Sequence, residues 1–362
     1  MQPNTQEEAT MRIMFSVIIA ATTFTSCLLT NMPDTATRED THTAVESWHA
    51  MASGLDAVLK KLDKNRPQDE WFIMTPSGTH KGTQDVFLEQ HRWAYFRDLE
   101  HLDTKPVVCV GDSANKVNAC MRQASASITL PPFPTAIGAF GVGSVFQMDM
   151  SWKTPGEAQE HQYGVEQDAT ISLVSMYFTE GAGMTYYHAR AANSSIEIVC
   201  VEAQNGYEAC MTDGVGYGNM LTNHTAFKMT DFAIHLMRER QARQPKQYAG
   251  ATFPMMDVTS TGGVSWVEGL EFKAPESSNA RIAVAVQEIH YKMDELGANL
   301  KAAVATTLVP KGGSPMLQIG YGGRPIFLWV MANNSKRGRF KHLERPLFVG
   351  LISQEHWKRP KR

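Results

Sequence analysis

Residues 294–315 read DELGANLKAAVATTLVPKGGSP, and we begin from this stretch because its pattern is the most regular in the chain. After a turn-like Gly297, small β-compatible residues follow without proline or aromatic side chains, and we call residues 298–307 the stem. By parity, one side of the stem carries mostly apolar residues and the other is more polar. The first side holds Ala298, Leu300, Ala302, Val304 and Thr306, and the second holds Asn299, Lys301, Ala303, Ala305 and Thr307. A period of two with one apolar face predicts a strand that lies half-buried in a sheet.

The stem leads into Leu308–Pro315, which is bounded by proline and glycine and carries one cation, Lys311. These residues predict an exposed loop. A strand-competent stem ahead of a loop with a single lysine fits a protease bait whose stem inserts after cleavage. Taken alone, the pattern favours the simpler interpretation of an ordinary strand and loop.

The remaining patterns place helices early and strands late in the chain. Apolar spacing predicts helices over 43–61 and 85–102, and Asn205-Gly206 joins two β-rich runs in 196–211 as a hairpin. Further strands are expected at 287–293, 325–331 and 346–352. This order favours an α+β fold over regular βαβ alternation.

The apolar segment Met11 to Thr30 contains too many hydroxyl residues for a transmembrane span. Its spacing of Phe15, Ile18, Ile19 and Thr22 favours a buried helix. A signal peptide is the alternative, although Glu7 and Glu8 precede Arg12 and weaken the basic start that a leader needs.

Composition predicts one globular domain over 1–362. The chain has 362 residues, 43% hydrophobic, with 34 Lys and Arg against 37 Asp and Glu, so a nucleic-acid partner is not expected. Five cysteines include no C-x-x-C pair, and an odd number cannot all pair within one chain. We therefore expect no metal site, no cofactor and no disulfide framework as the main support of the fold; pairing of Cys200 with Cys210 stays open.

No catalytic constellation emerges, so the chain is not expected to be an enzyme. The glycine-rich runs at 138–143 and 214–218 match neither a dinucleotide-binding nor a phosphate-binding loop. Three N-x-[ST] sequons indicate possible glycosylation, at Asn193, Asn223 and Asn333. Basic clusters at 336–342 and 358–362 fit a heparin-like polyanion, although ordinary solvated charge is the favoured interpretation.

The C-terminal third resembles the serpin family, most closely the alpha-1-antitrypsin-type branch. The residues that carry the resemblance are Glu288-Ile-His-Tyr-Lys-Met-Asp-Glu-Leu-Gly297 with the stem, Arg324-Pro-Ile-Phe-Leu-Trp-Val330 and Arg345-Pro-Leu-Phe-Val-Gly350. They match the serpin hinge, reactive loop and two C-terminal strands in order and spacing. Weaker matches are Ile13–Ser16 to serpin helix B, residues 40–45 to the start of the next helix, 87–112 to the approach to the large sheet, and Met148–Pro155 to the strand with the breach tryptophan.

The resemblance implies a serpin-like fold, with helices packed on mixed β-sheets and an exposed reactive-centre loop at about 295–323. It places the bait bond at Lys311-Gly312, which suits a trypsin-like serine protease. It implies a hinge of Glu295, Gly297, Ala298, Leu300, Ala302 and Ala303, and shutter and breach residues Ser16, Ser144, Trp152 and His290. It further implies a secreted, extracellular monomer that acts as a suicide inhibitor and does not bind membranes.

Several departures from the family pattern keep an alternative open. The first helix of the fold is expected to be missing or vestigial, and Ser144 stands where the shutter usually has asparagine. Leu300 is bulky for an inward stem position, and overpacking of this kind costs about 1–3 kcal/mol or slows insertion. The alternative is a non-inhibitory serpin-fold binding protein, such as a hormone carrier or a chaperone, or a degenerate relative.

Overall fold

The computed structural model describes the chain in 14 segments, and the fold is given for these residues only. They are 11–23, 43–62, 73–133, 140–164, 170–179, 183–191, 194–213, 227–242, 248–261, 264–273, 280–296, 317–320, 325–332 and 345–359. Within them the chain forms helices and three β-sheets, which confirms the α+β fold class.

The main sheet is built around two long strands from the middle and the end of the chain. In spatial order its strands are β3 (Ile73–Thr75), β14 (Glu271–Lys273), β15 (Ala280–Met293), β1 (Met11–Thr23), β5 (Phe140–Met150) and β4 (Val107–Gly111), and β13 (Met256–Thr261) also pairs with β15. Because β1 is antiparallel to both β15 and β5, those two strands run parallel to each other on either side of it.

The second sheet packs beneath the main sheet, and a smaller third sheet completes the β-structure. The second has the order β11 (Gln241–Ala242), β8 (Met184–Ala191), β9 (Ser194–Glu202), β10 (Tyr207–Asp213), β17 (Ile326–Ala332), β18 (Phe348–Ile352) and β2 (Ala44–Glu46). The third has the order β16 (Leu317–Gln318), β12 (Gly250–Pro254), β7 (Thr170–Thr179) and β6 (Glu157–Gly164).

Helices cover the sheets on both sides and also fill the space between them. They are α1 (His49–Leu62), α2 (Lys81–Val86), α3 (Arg92–His101), α4 (Ala114–Gln123) and α5 (Lys228–Glu239), with a π-helical turn at Phe87–His91 joining α2 to α3. Among the described residues, no helix is long and apolar enough to span a membrane.

The largest core lies between the main and second sheets and includes α1. Met51, Leu55 and Val58 of α1 are fully buried there, and Tyr291 of the main sheet stacks on Phe348 of the second with ring centroids 4.4 Å apart. A second cluster places α5 on the outer face of the second sheet, and a third places α4 on the outer face of the main sheet. We call the face of the main sheet toward α1 its inner face.

Several predicted elements are confirmed with small shifts. The helix expected over 43–61 begins at His49, and the one expected over 85–102 forms α2, the π turn and α3. The Asn205-Gly206 hairpin forms β9 and β10, and Gly206 has φ of +85°, a conformation that glycine adopts without steric cost. The three C-terminal strands form the end of β15, β17 and β18.

The prediction of a helix over 11–30 is wrong for residues 11–23, which form β1. These residues are rich in β-branched side chains, among them Ile13, Val17 and Ile18, and such residues favour strands when neighbours pair with them. The predicted correspondence of Ile13–Ser16 with helix B, and of residues 40–45 with the start of the next helix, is therefore corrected. The helix in the core is α1, and Ala44–Glu46 forms strand β2 ahead of it.

Candidate functional site

The centre of the main sheet is a site for one strand, bounded by β5 and β15, which we call the strand site. In this structure it is occupied by β1, which pairs with β15 from Ile13↔Tyr291 to Thr23↔Ala280 and with β5 from Met11↔Met150 to Ala21↔Phe140. The pairing is continuous along β5, and along β15 it has one irregularity at Ala20/Ala21. Both long strands are therefore bridged over most of their length.

The base of the predicted reactive loop is held at the end of β15 by two hydrogen bonds. The indole nitrogen of Trp152 donates to the carbonyl oxygen of Asp294 at 2.8 Å, and the Gly156 amide donates to the carbonyl oxygen of Glu295 at 2.7 Å. Trp152 is buried, and a Cβ on Gly156 would lie 2.8 Å from the ring of Phe178, so this close approach requires glycine. The chain that follows β5 thus holds Asp294 and Glu295, and Glu295 is the first residue of the predicted hinge.

Glu295, the first predicted hinge residue, is partly buried at this base. Burial raises the pKa of its carboxyl group above the usual value, and the nearby Asp294 carboxylate acts in the same direction. A raised pKa means that the ionised form is less favoured here than in water. A movement that exposes this carboxyl group to water would therefore stabilise its ionised form.

A row of buried polar residues crosses the inner face of the strand site. Ser144 on β5 and Gln287 on β15 are both in register with Val17 of β1, so their side chains face the same way. Gln287 donates from its amide nitrogen to the carbonyl oxygen of Ser47 at 2.6 Å, and the Ser47 hydroxyl donates to the Leu347 carbonyl oxygen at 2.8 Å. The Ser144 hydroxyl is buried with no hydrogen-bond partner among the described residues.

The structure places the predicted shutter residues Ser144 and His290 on opposite faces of the main sheet. His290 is in register with Met14 and lies on the outer face, where its Nε2 is 2.9 Å from a carboxylate oxygen of Asp257 and the ring is 45% exposed. Ser144 faces inward, and Ser16 lies on β1 rather than on a helix. The physical reason is parity, because an odd offset along a strand moves a side chain to the opposite face.

Gln287 and Ser47 were not predicted from the sequence to be residues of the strand site. A signal was nevertheless present, because Gln287 has the same parity as Ile289, Tyr291 and Met293, which are all buried on the inner face. An alternating apolar strand interrupted by one amide indicates a buried polar contact. Ser47 carries no such local signal, because its partner lies far along the chain.

Many predicted site residues lie outside the described residues, so their structure stays a prediction. These are the bait bond Lys311 and Gly312, the hinge residues Gly297, Ala298, Leu300, Ala302 and Ala303, the sequon residues Asn193, Asn223 and Asn333, and the basic cluster 336–342. Lys358 and Arg359 of the second basic cluster are described and exposed.

A polar cleft of about 510 Å³ opens between the π turn, α5 and Arg345, which lies three residues before β18. Its lining includes His91, Asp231 and Arg345. His91 is buried and stacks on Phe227 at 4.4 Å, and burial together with the charge of Arg345 lowers the pKa of His91 to about 4. At neutral pH this cleft therefore presents an uncharged imidazole beside a carboxylate and a guanidinium group.

Two disulfides lie within the described residues. Cys109–Cys120 joins β4 to α4, and Cys200–Cys210 joins opposite residues of the β9–β10 hairpin. The ligand atoms of Cys200, Glu208 and Cys210 lie within 4.8 Å of one another. Because the two sulfurs are bonded to each other, they offer no thiolate to a metal ion.

No protein-family model and no curated protein matches the sequence. Three similar solved structures span most of the chain. Tengpin, a thermophilic serpin, has a TM-score of 0.49 and 10% identity over 88% of this chain and 90% of its own. Thyroxine-binding globulin in complex with thyroxine has a TM-score of 0.49 and 11% identity, over 86% of this chain and 92% of its own. The mouse protein-Z dependent protease inhibitor has a TM-score of 0.46 and 10% identity, over 86% of this chain and 90% of its own.

The identities to these proteins are low and the TM-scores lie below 0.5, so the function of this chain has to be inferred from its own strand order and contacts. Of these three proteins, one is described as a serpin, one as a thyroxine-binding globulin and one as a protease inhibitor.

Proposed function

We propose that the chain is a serpin-type suicide inhibitor of a trypsin-like serine protease, with Lys311-Gly312 as the bait bond. The observation that carries the proposal is the strand site. Its two walls, β5 and β15, run parallel, and β15 leads directly into the hinge at its end. A stem that turned back at the hinge would run antiparallel to both walls, which is the geometry that one inserted strand needs.

The chemistry begins at the carbonyl carbon of Lys311. The serine Oγ of the protease attacks this carbon, the protease histidine takes the serine proton and returns it to the nitrogen of Gly312, and the peptide bond breaks. Lys311 is then joined to the protease as an ester, and Gly312 carries a new amino group. Insertion of the stem would carry the bound protease away from the loop before water hydrolyses the ester.

We further propose that the protein works outside the cell. Disulfides form and persist in oxidising compartments and are rare in the cytosol, and two lie within the described part of this chain. The three sequons agree with this location, although their residues lie outside the described structure.

The proposal is tested by incubating the purified protein with trypsin and separating the products on a denaturing gel. A stable band heavier than either component, with the cut at Lys311, is the expected result. Lys311→Ala should abolish this band, whereas the matched control Lys301→Ala, which removes a lysine from the stem, should retain it. If Lys311→Ala formed the complex as well as the unmodified chain, the assignment of the bait bond would be wrong.

A second candidate is a non-inhibitory binding protein, because β1 already fills the strand site and the His91 cleft offers room for a small polar molecule. Clean cleavage of the loop without any covalent complex, under conditions where β1 is absent, would favour this function. Ligand screening by thermal shift would then begin with the His91 cleft, and Arg345→Ala should abolish any shift that arises there.

A further inference from the structure

We propose that β1 is a displaceable occupant of the strand site, so that the N-terminal strand and the stem compete for one position in the main sheet. In the intact chain β1 holds the sheet closed. Loss of β1, by cleavage or by withdrawal, opens the site to the stem and increases inhibition above the level of the intact chain. This inference rests on the proposed function and assigns a regulatory device to the same site.

The first argument is position. A strand between β5 and β15 must pair with both, and β1 does so on each side along nearly its whole length. Neighbouring strands in a sheet lie about 4.8 Å apart, so the space between two walls that flank a single strand holds that strand alone. Two strands cannot occupy this position together.

The second argument is direction. The N-terminal end of β1 lies at the hinge end of the sheet, where Met11 is in register with Met150 and Ile13 with Tyr291. The contacts of Trp152 and Gly156 with Asp294 and Glu295 fix the start of the loop at this same end. A stem entering the sheet from there would run in the same direction as β1 and cover the same residues of both walls.

The third argument is the match between β1 and the inner face. Five alternate residues of β1 are in register with inward-facing residues of β15, among them Ile289, Gln287 and Ala285. These β1 residues are Ile13, Phe15, Val17, Ile19 and Ala21. The corresponding row of the stem is Ala298, Leu300, Ala302, Val304 and Thr306, which is smaller and less apolar. By sequence the β1 row is the larger and more apolar of the two, and the more apolar strand gains more free energy from a place in the strand site.

The test compares the intact chain with a form that lacks residues 1–23, using three measurements on each. Peptide-resolved hydrogen exchange reports whether β5 and β15 each have a strand paired along the edge that faces the strand site. Amides of both strands should exchange about tenfold or more faster in the shortened form. Adding a synthetic peptide of residues 11–23 should restore the slow exchange. Equal exchange in the two forms would overturn the proposal, because β1 would then not occupy the strand site.

The second measurement follows heat stability before and after the loop is cut at Lys311. In the shortened form the cut should raise the melting temperature by roughly 10 °C or more, because the stem gains the pairing that β1 leaves open. In the intact chain the cut should leave it nearly unchanged. An equal rise in the intact chain would overturn competition, and this arm remains decisive even if the shortened form does not fold.

The third measurement is covalent complex formation with trypsin, which should increase about tenfold or more when β1 is absent. Val17→Pro in the intact chain should act in the same way, because proline cannot pair within a central strand, while Glu7→Pro, placed before β1, should have no effect. If the shortened form gains heat stability on cleavage but yields no complex, competition for the strand site is supported and the inhibitory function is what fails.

Discussion

Glu46 is an ionisable residue inside the core, and its position explains how two distant elements meet. One carboxylate oxygen accepts hydrogen bonds from the amide and the hydroxyl of Thr230, at 3.0 and 2.6 Å, and from the indole of Trp48 at 3.4 Å. Thr230 lies in the first turn of α5, where backbone amides have no partner within the helix. Glu46 thus caps α5 from the strand β2.

Glu46→Ala should destabilise the protein by about 1–3 kcal/mol, since the buried donors of Thr230 and Trp48 lose their acceptor. Chemical denaturation monitored by tryptophan fluorescence measures the change. Glu239→Ala, at the exposed C-terminal end of the same helix, is the matched control and should change stability little. A similar loss in both variants would contradict the capping role.

Glu46 should also make stability depend on pH in the acid range. Burial raises the pKa of its carboxyl group despite the hydrogen bonds that favour the charged form. The folded state therefore binds a proton more tightly than the unfolded state, and stability falls as pH rises from the unfolded pKa, about 4.3, through the folded value. Comparing denaturation of the unmodified chain and Glu46→Ala across this range should show a fall that the variant lacks.

Ser144 and Gln287 occupy one row of the main sheet, and their substitutions should have opposite effects. Gln287→Ala removes the donor to the Ser47 carbonyl and leaves a cavity, and we expect a loss of about 1–3 kcal/mol. Ser144→Ala removes a buried hydroxyl without a partner among the described residues, so stability should stay equal or rise by up to about 1 kcal/mol. Denaturant unfolding of both variants measures the difference, and a large loss in Ser144→Ala would reveal a partner for the hydroxyl.

At the scale of elements, the two disulfides constrain the chain to different degrees. Cys109–Cys120 closes a sequence separation of 11 between a strand and a helix, whereas Cys200–Cys210 links opposite residues of an already paired hairpin. Replacing Cys109 and Cys120 by serine should cost about 2–3 kcal/mol, and the same change at Cys200 and Cys210 should cost less. Thermal unfolding of the two double variants provides the comparison, and a reversed order would contradict this account.

The pair His290–Asp257 links β15 to β13 and should show a pH window. The hydrogen bond raises the pKa of His290 and lowers that of Asp257. The contribution of His290 to the free energy of unfolding is therefore complete below the unfolded pKa of about 6.5, and it is lost as the pH rises through the folded pKa. Because both groups are half-exposed, this contribution should stay below about 1 kcal/mol. In an NMR titration, Asp257→Asn should lower the pKa of His290; an unchanged titration would show that the pair does not form.

An element can be predicted from the sequence when the residues that determine it are neighbours in the chain. The β9–β10 hairpin and α1 carry local signals, namely Asn205-Gly206 and a helical apolar spacing, and both were predicted. Strand β1 was not, because its apolar residues fit a helix equally well and its partners lie in the middle and near the end of the chain. The predicted pairing of His290 with Ser144 disagrees with the structure for a related reason, since motif similarity placed His290 without regard to which face of β15 it occupies.

At the scale of the whole molecule, the C-terminal segment joins elements from both ends of the chain. Strand β18 pairs with β17 and with β2, and the hydroxyls of Thr43 and Ser353 are 2.7 Å apart. Beyond β18, Trp357 is buried and bridges to Met256, and the Lys358 amide donates to the Met255 carbonyl oxygen at 2.9 Å. The two sheets that enclose the main core are therefore both completed by residues 345–359.

A chain that stops at residue 344 should fail to form a soluble folded protein, because β17 and β2 would lose their shared neighbour and a row of apolar core residues would be exposed. A chain that stops at residue 359 is the matched control and should elute and melt like the full chain, since it keeps the contacts that residues 345–359 make with both sheets. Size-exclusion chromatography and thermal unfolding measure both. A soluble monomer ending at residue 344 with cooperative unfolding would mean that the second sheet is stable without β18, and that the core is closed by β10 and β17 alone.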